Sequence, residues 1–178
     1  MDEGGSNPSV LFICTGNRCR SVAAAALWQK RLPEIAEDWQ RWQVSSAGTW
    51  AEEGKPPLSG VSDLLRCRGI DVRGVRSRRV SRELLAAHQL ALVMESGQKE
   101  GIHLEFPDLS DRVYLLSEMA GREAEVRDPV GEEPMALAAT LVEISAWLRL
   151  GEKRILELAR GKNGSPHGGR AQRYHERN

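Results

Sequence analysis

The sequence predicts an α/β fold: a single domain on a four-stranded parallel sheet, with helices on both faces. Three observations lead there. Short apolar runs alternate with helix-forming stretches along most of the chain, the pattern of βαβ units. One of these runs, Leu90–Met94 (LALVM), is apolar throughout, as a strand covered on both faces must be. The length, 178 residues, suits one domain and is enough to bury a real core.

The first strand is predicted over Ser9–Ile13, bounded by Pro8 before it and Gly16 after it. Residues 21–32 (SVAAAALWQKRL) are rich in helix formers, with Ser21 a good N-cap type. Pro33 is expected to break or restart that helix, leaving a short second piece over 34–42. Residues 43–49 (QVSSAGT) read as the second strand and the start of a loop. Helices follow over 58–69, closed by Gly69, and from Ser81 as N-cap. Leu90–Met94 is the third strand and Arg112–Leu116 the fourth. One long amphipathic helix is expected over 134–159, with Pro134 at its start. The domain is therefore set at 1–160. The glycine-rich, basic stretch 161–178 lacks periodicity and reads as a disordered tail.

Charge and cysteine content narrow the function classes. Lys and Arg number 25, as do Asp and Glu, so no global field recruits nucleic acid or membrane. No apolar run approaches a membrane span, and the acidic, polar start is unlike a signal peptide. Three cysteines do not make a secreted disulfide framework. A cytoplasmic protein, monomeric, is the simplest reading. No metal-ligand spacing is visible, and no metal or other cofactor is expected. His88, His103, His167 and His175 are scattered, and a surface or packing role is the default for each.

Chemistry concentrates in SVLFICTGNRCRS, Ser9–Ser21. Cys14 ends a strand and Ser21 begins a helix. A strand-to-helix turn aims backbone N–H groups at one point, and the helix N-terminus adds partial positive charge. Gly16 lets backbone approach closely and Asn17 tolerates positive φ. The expected product is an anion nest formed by Thr15, Gly16, Asn17, Arg18, Cys19, Arg20 and Ser21. Such a nest binds phosphate oxygens and favours the thiolate, the nucleophilic form of Cys14. Arg20 supplies a planar fork that matches two phosphate oxygens. Ser21 has a hydroxyl to donate to the sulfur. Cys67 and Arg73 repeat the Cys14–Arg20 spacing, but Cys67 lies in a helical pattern and Asp71 would repel an anion, so Cys67 is read as structural.

The stretch VLFICTGNRCRS resembles the phosphate-binding signature of the low-molecular-weight protein tyrosine phosphatase family. The resemblance extends over residues 9–158. VSSAGT looks like that family's second strand and loop, with Ser46 in support. LALVMES looks like its central strand and turn, and RDPV, with Asp128 and Pro129, like its general-acid loop. The resemblance implies strand order 2-1-3-4 and two-step phosphomonoester hydrolysis through a phosphocysteine on Cys14. Asp128 would protonate the leaving oxygen and then activate water. A phosphorylated protein, phosphotyrosine first, or a small aryl phosphate is the expected substrate, with phosphate or sulfate as a ligand of the loop. The family's tyrosine phosphatases commonly carry a second cysteine where Cys19 stands; a redox-protective role, trapping oxidised Cys14 as a disulfide, is taken ahead of simple packing.

Departures from the family pattern bear on specificity. Arg18 occupies a variable loop position. Residues 22–25 (VAAA) replace PMAE, Gly74 stands where many members have a histidine, and Val130 replaces an aromatic pocket wall. Trp50 is a candidate wall in its place. Protein-arginine phosphatase activity ranks below phosphotyrosine, since Arg18 at the rim would repel a cationic phosphoarginine. Thioredoxin-coupled arsenate reduction needs cysteines after the central strand, and residues 95–110 contain none. A catalytically weak phosphate- or phosphopeptide-binding module is the alternative from another class. Arg66–Arg82, with seven arginines, reads as a solvated basic face.

Overall fold

The computed structural model describes residues 6–131 and 134–161. Four parallel strands, β1 (Ser9–Cys14), β2 (Gln43–Gly48), β3 (Leu90–Val93) and β4 (Val113–Leu115), form one sheet in the order β2-β1-β3-β4. Strand β1 is buried at every residue because both sheet faces are covered. Alternate residues serve opposite cores. Val10, Phe12, Leu90 and Leu92 pack with α1 (Arg20–Ile35), α5 (Pro134–Leu150) and α6 (Glu152–Ala159). Leu11, Ile13, Ala91 and Val93 pack on the other face with Leu85 of α3 (Arg82–Ala86) and Ile102 of α4 (Ser96–Glu105). Helix α2 (Ser59–Arg66) adds Val61 and Leu65 to the first core. The strand order reverses between β1 and β3, and such a switch point opens a crevice at the carboxyl ends of the strands.

Several local expectations change. Helix α1 runs through Pro33 to Ile35 rather than breaking there. The lost bond is the one to the carbonyl of Gln29, an exposed residue where water can serve, and the helix ends two residues later with Ala36 N–H on the Leu32 carbonyl. Residues 34–42 form no second helix beyond a 3₁₀ turn at Trp39–Arg41. Ser21 is not the N-cap: helix α1 begins at Arg20, and the Ser21 hydroxyl is turned toward Cys14 and Asn17. The long C-terminal helix is two helices hinged at Gly151, where a Cβ would stand 2.4 Å from Met119 Cβ. Residues 95–110, left without a helix by the sequence, hold α4 and the start of a 3₁₀ segment, Pro107–Arg112. Ser81 does cap α3, accepting from Leu84 N–H. The tail from residue 162, with His167 and His175, lies outside the described residues. Among the described residues, no helix is long and apolar enough to cross a membrane.

His88 is fully buried. Its Nδ1 lies 2.7 Å from the Leu84 carbonyl, so Nδ1 carries the proton, and Nε2 has no partner among the described residues. Burial pulls its pKa below the ordinary 6.5. The neutral form is the one the fold accepts, so its contribution to stability is complete above pH 6.5 and declines as pH falls toward the folded-state value. The urea midpoint is therefore expected to fall between pH 7 and pH 5 by more in the wild type than in His88→Leu (about pH 5 being below the ordinary histidine range). Parallel pH curves for the two proteins would overturn this.

Candidate active site

The turn from β1 into α1 is laced to its surroundings before any ligand arrives. Thr49 N–H donates to the Cys14 carbonyl at 2.9 Å and Trp50 N–H to the Thr15 carbonyl at 3.0 Å. This brings the end of β2 so near that a Cβ on Gly48 would lie 2.4 Å from the Thr15 carbonyl oxygen and 2.9 Å from the Asn17 nitrogen. The close approach of one chain segment to another falls on Gly48, a residue the sequence did not single out; a Cβ on Gly16 would meet no protein atom within 4 Å. Both crowding atoms are backbone and cannot swing aside. Gly48→Ala is expected to cost about 1–3 kcal/mol in urea unfolding and to lower activity with it; an unchanged midpoint would show that the loop yields.

Asn17 is the only non-glycine with positive φ (53°) among the described residues. Its side chain compensates. Nδ2 donates to Ser21 Oγ (3.0 Å) and Ser46 Oγ (2.9 Å), and Oδ1 accepts from Arg78 N–H (2.9 Å). Cys14 Sγ lies 3.0 Å from Ser21 Oγ and is buried. Arg20 is 1% exposed. Its Nη1 donates to the Val126 carbonyl (2.8 Å) and pairs with Glu95 Oε1 (2.9 Å), while Nη2 pairs with Asp128 Oδ2 (3.0 Å). A buried guanidinium without such partners would be strongly unfavourable. Its Nε has none among the described residues.

The side chains form two neighbouring sets, Cys14, Ser21, Asn17 and Ser46 in one and Arg20, Glu95 and Asp128 in the other, joined through the backbone between Arg20 and Ser21. Pro129 follows Asp128 in a turn closed by Val130 N–H on Asp128 Oδ1 at 3.2 Å. Cys19 is buried, and burial foremost, then Cys14 and Asp128, pushes its thiol up to about 12. Arg18 is half-buried, and its Nε donates to the Pro56 carbonyl at 2.8 Å. Trp50 is 76% exposed, with the Arg79 guanidinium 5.2 Å from its ring centroid. Thr15 and Trp50 share a groove of ≈ 350 Å³ that Val130 does not line. Cys67 is exposed just beyond α2, away from any such loop. Of the arginine-rich face, Arg66, Arg73 and Arg82 pair with Asp63, Asp71 and Asp108, whereas Arg78 Nε donates to the Ser46 carbonyl and Arg79 lies over the Trp50 ring.

Sequence reasoning gave no role to Glu95, Gln98 or Gly48. Glu95 and Gln98 form the reciprocal cap of α4 while Glu95 reaches Arg20 and Gln98 Nε2 donates to Thr15 Oγ1 (3.1 Å). The available signal was a Glu and a Gln three residues apart, directly after the apolar run of β3.

A buried cysteine, hydrogen-bonded to serine and flanked by an arginine at the carboxyl end of a central parallel strand, defines a phosphate-handling α/β protein of the cysteine-nucleophile class. The sequence pattern of low molecular weight phosphotyrosine protein phosphatases matches residues 9–154, and the chain belongs to that family. A protein-arginine-phosphatase of Geobacillus stearothermophilus is 33% identical over 81% of this chain and 94% of its own. The low molecular weight protein tyrosine phosphatase of T. tengcongensis superposes with a TM-score of 0.76 at 30% identity, covering 82% of this chain and 98% of that one. The tyrosine phosphatase Wzb of Escherichia coli K30, solved in complex with phosphate, superposes at 0.70 with 26% identity, over 82% and 97% of the two chains.

Proposed function

We propose that the protein hydrolyses phosphorylated protein side chains through a phosphocysteine on Cys14. One observation carries this reading: Cys14 Sγ lies 3.0 Å from Ser21 Oγ at the end of β1, and the buried side chain of the preceding residue, Arg20, holds the Asp128 carboxylate. In the first step Cys14 Sγ attacks phosphorus as the bond to the leaving oxygen or nitrogen breaks, and Asp128 delivers a proton to that atom. In the second, Asp128 takes a proton from water, which attacks phosphorus and releases Sγ. Ser21 donates to the departing sulfur. The unpartnered Arg20 Nε suits a phosphate oxygen. Acid quenching of a single turnover, followed by peptide mapping, is expected to find the phosphate on the Cys14 peptide; turnover without that adduct would overturn the mechanism, and absence of any aryl phosphate turnover would favour a binding module.

Two observations favour phosphoarginine over phosphotyrosine as the substrate. The charge raised against phosphoarginine belongs to Arg18, and that side chain is tied to the Pro56 carbonyl. The acids Glu95 and Asp128 border the site. The likeness to an arginine phosphatase supports the same direction. Phosphotyrosine is the second reading, favoured by the exposed indole of Trp50. Peptides of one sequence carrying either phosphoresidue distinguish them: kcat/KM for phosphoarginine is expected to be higher by about tenfold, or 1.4 kcal/mol. Equal or inverted values would return the assignment to phosphotyrosine.

The redox role of Cys19 belongs to the same reading. Peroxide converts Cys14 to a sulfenic acid, Cys19 thiol displaces its oxygen as water, and a disulfide forms. Cys19→Ala is expected to pass to irreversible inactivation sooner, as judged by recovery in dithiothreitol. Identical recovery in the two proteins would leave Cys19 to packing.

A further inference from the structure

The groove that opens at Thr15 runs between two unlike walls. Trp50 and Arg79 form one; Gly97, Gly101 and Glu105, on the exposed surface of α4, form the other. Both walls are bonded to the residue that follows Cys14: Trp50 N–H reaches the Thr15 carbonyl, and Gln98 of α4 reaches its hydroxyl. The groove therefore borders the reaction centre at Thr15, which follows Cys14, and at Glu95, which pairs with Arg20. The two glycines lie one helical turn apart. A Cβ at either would meet nothing within 4 Å, so no packing inside the protein calls for them. Each weakens the helix relative to alanine. What they provide is bare backbone, which another chain can approach closely. Opposite them stand a 76% exposed indole and an arginine that no carboxylate pairs with among the described residues. Glu53 accepts only from the backbone N–H of Arg79. Aromatic and arginine side chains together are the composition of a peptide anchor.

We infer that this groove seats the polypeptide flanking the phosphorylated side chain, with an acidic residue of the substrate against Arg79. The inference rests on the phosphatase reading above and narrows its substrate to an extended, acid-flanked phosphosite. The bare face of α4 takes the backbone, Trp50 an apolar flank, and Arg79 the acid.

Gly101→Met tests it, because the new side chain enters a groove whose lining does not include Cys14, Arg20 or Asp128. With phosphopeptides, kcat/KM is expected to fall about tenfold, while p-nitrophenyl phosphate turnover stays at the wild-type value. Arg79→Gln is expected to erase a preference for Asp-flanked over Lys-flanked peptides. Equal effects of Gly101→Met on peptide and aryl phosphate, or no flank preference in the wild type, would overturn the groove and leave the phosphatase reading standing. If aryl phosphate is not hydrolysed at all, the phosphatase reading fails, and calorimetry on Cys14→Ser reads the groove alone. There, Gly101→Met should weaken phosphopeptide but not inorganic phosphate; unchanged phosphopeptide binding would overturn it.

Discussion

Cys14→Ser is expected to abolish turnover, by on the order of 10⁴-fold or more, with the fold intact. The serine oxygen is a far poorer nucleophile than the sulfur at neutral pH. It occupies the same buried place, 3.0 Å from Ser21 Oγ in the native protein, and leaves the Asn17 bonds and the Arg20 ion pairs untouched. The variant should therefore still bind phosphate, seen as a rise in Tm with phosphate concentration. In the wild type, iodoacetate should label Cys14 first and phosphate should block it. Labelling at Cys67 with loss of activity, or substantial turnover by the serine variant, would overturn the assignment.

Asp128→Asn is expected to slow hydrolysis by about 100- to 10,000-fold when the leaving group is poor. Phosphotyrosine and phosphoarginine both need a proton on the departing atom. Nitrophenolate departs more easily unassisted, so p-nitrophenyl phosphate should suffer less. The asparagine is close in shape and retains an oxygen for Arg20 Nη2, which separates loss of the proton from loss of the contact. Small, equal effects on all substrates would reduce Asp128 to a surface turn.

The local chemistry of the loop was legible because it is written contiguously: Cys14, Asn17, Arg20 and Ser21 fall within eight residues of one strand-to-helix turn. Asp128 was legible only through family likeness, since an Asp-Pro turn alone is common. The parts that escaped are those set by tertiary approach. Nothing local shows that Gly48 lies against Thr15, that Arg78 N–H meets Asn17, or that Glu95 crosses to Arg20. Helix α4 was hidden by Gly97 and Gly101, whose low helix propensity is offset by the Glu95–Gln98 cap. The hinge at Gly151 answers to Met119, far away in sequence. Arg18 was placed by its position in the loop alone, whereas a carbonyl from a separate segment, Pro56, takes its Nε.

Asn17 joins three stretches of chain, at Ser21, Ser46 and Arg78, by side-chain and single backbone bonds rather than by covalent neighbourhood. Exposed positions between those anchors can be rewritten while the nucleophile keeps its geometry, provided that the bonds of Thr49, Trp50 and Pro56 to the loop and the core contacts of α2 are kept. Chemistry and selectivity are thereby partly separable traits: new substrate preferences can be grafted onto exposed positions such as Glu52, Gly74 and Arg76 without rebuilding the reaction centre, whereas a change at position 17 would release all three stretches at once.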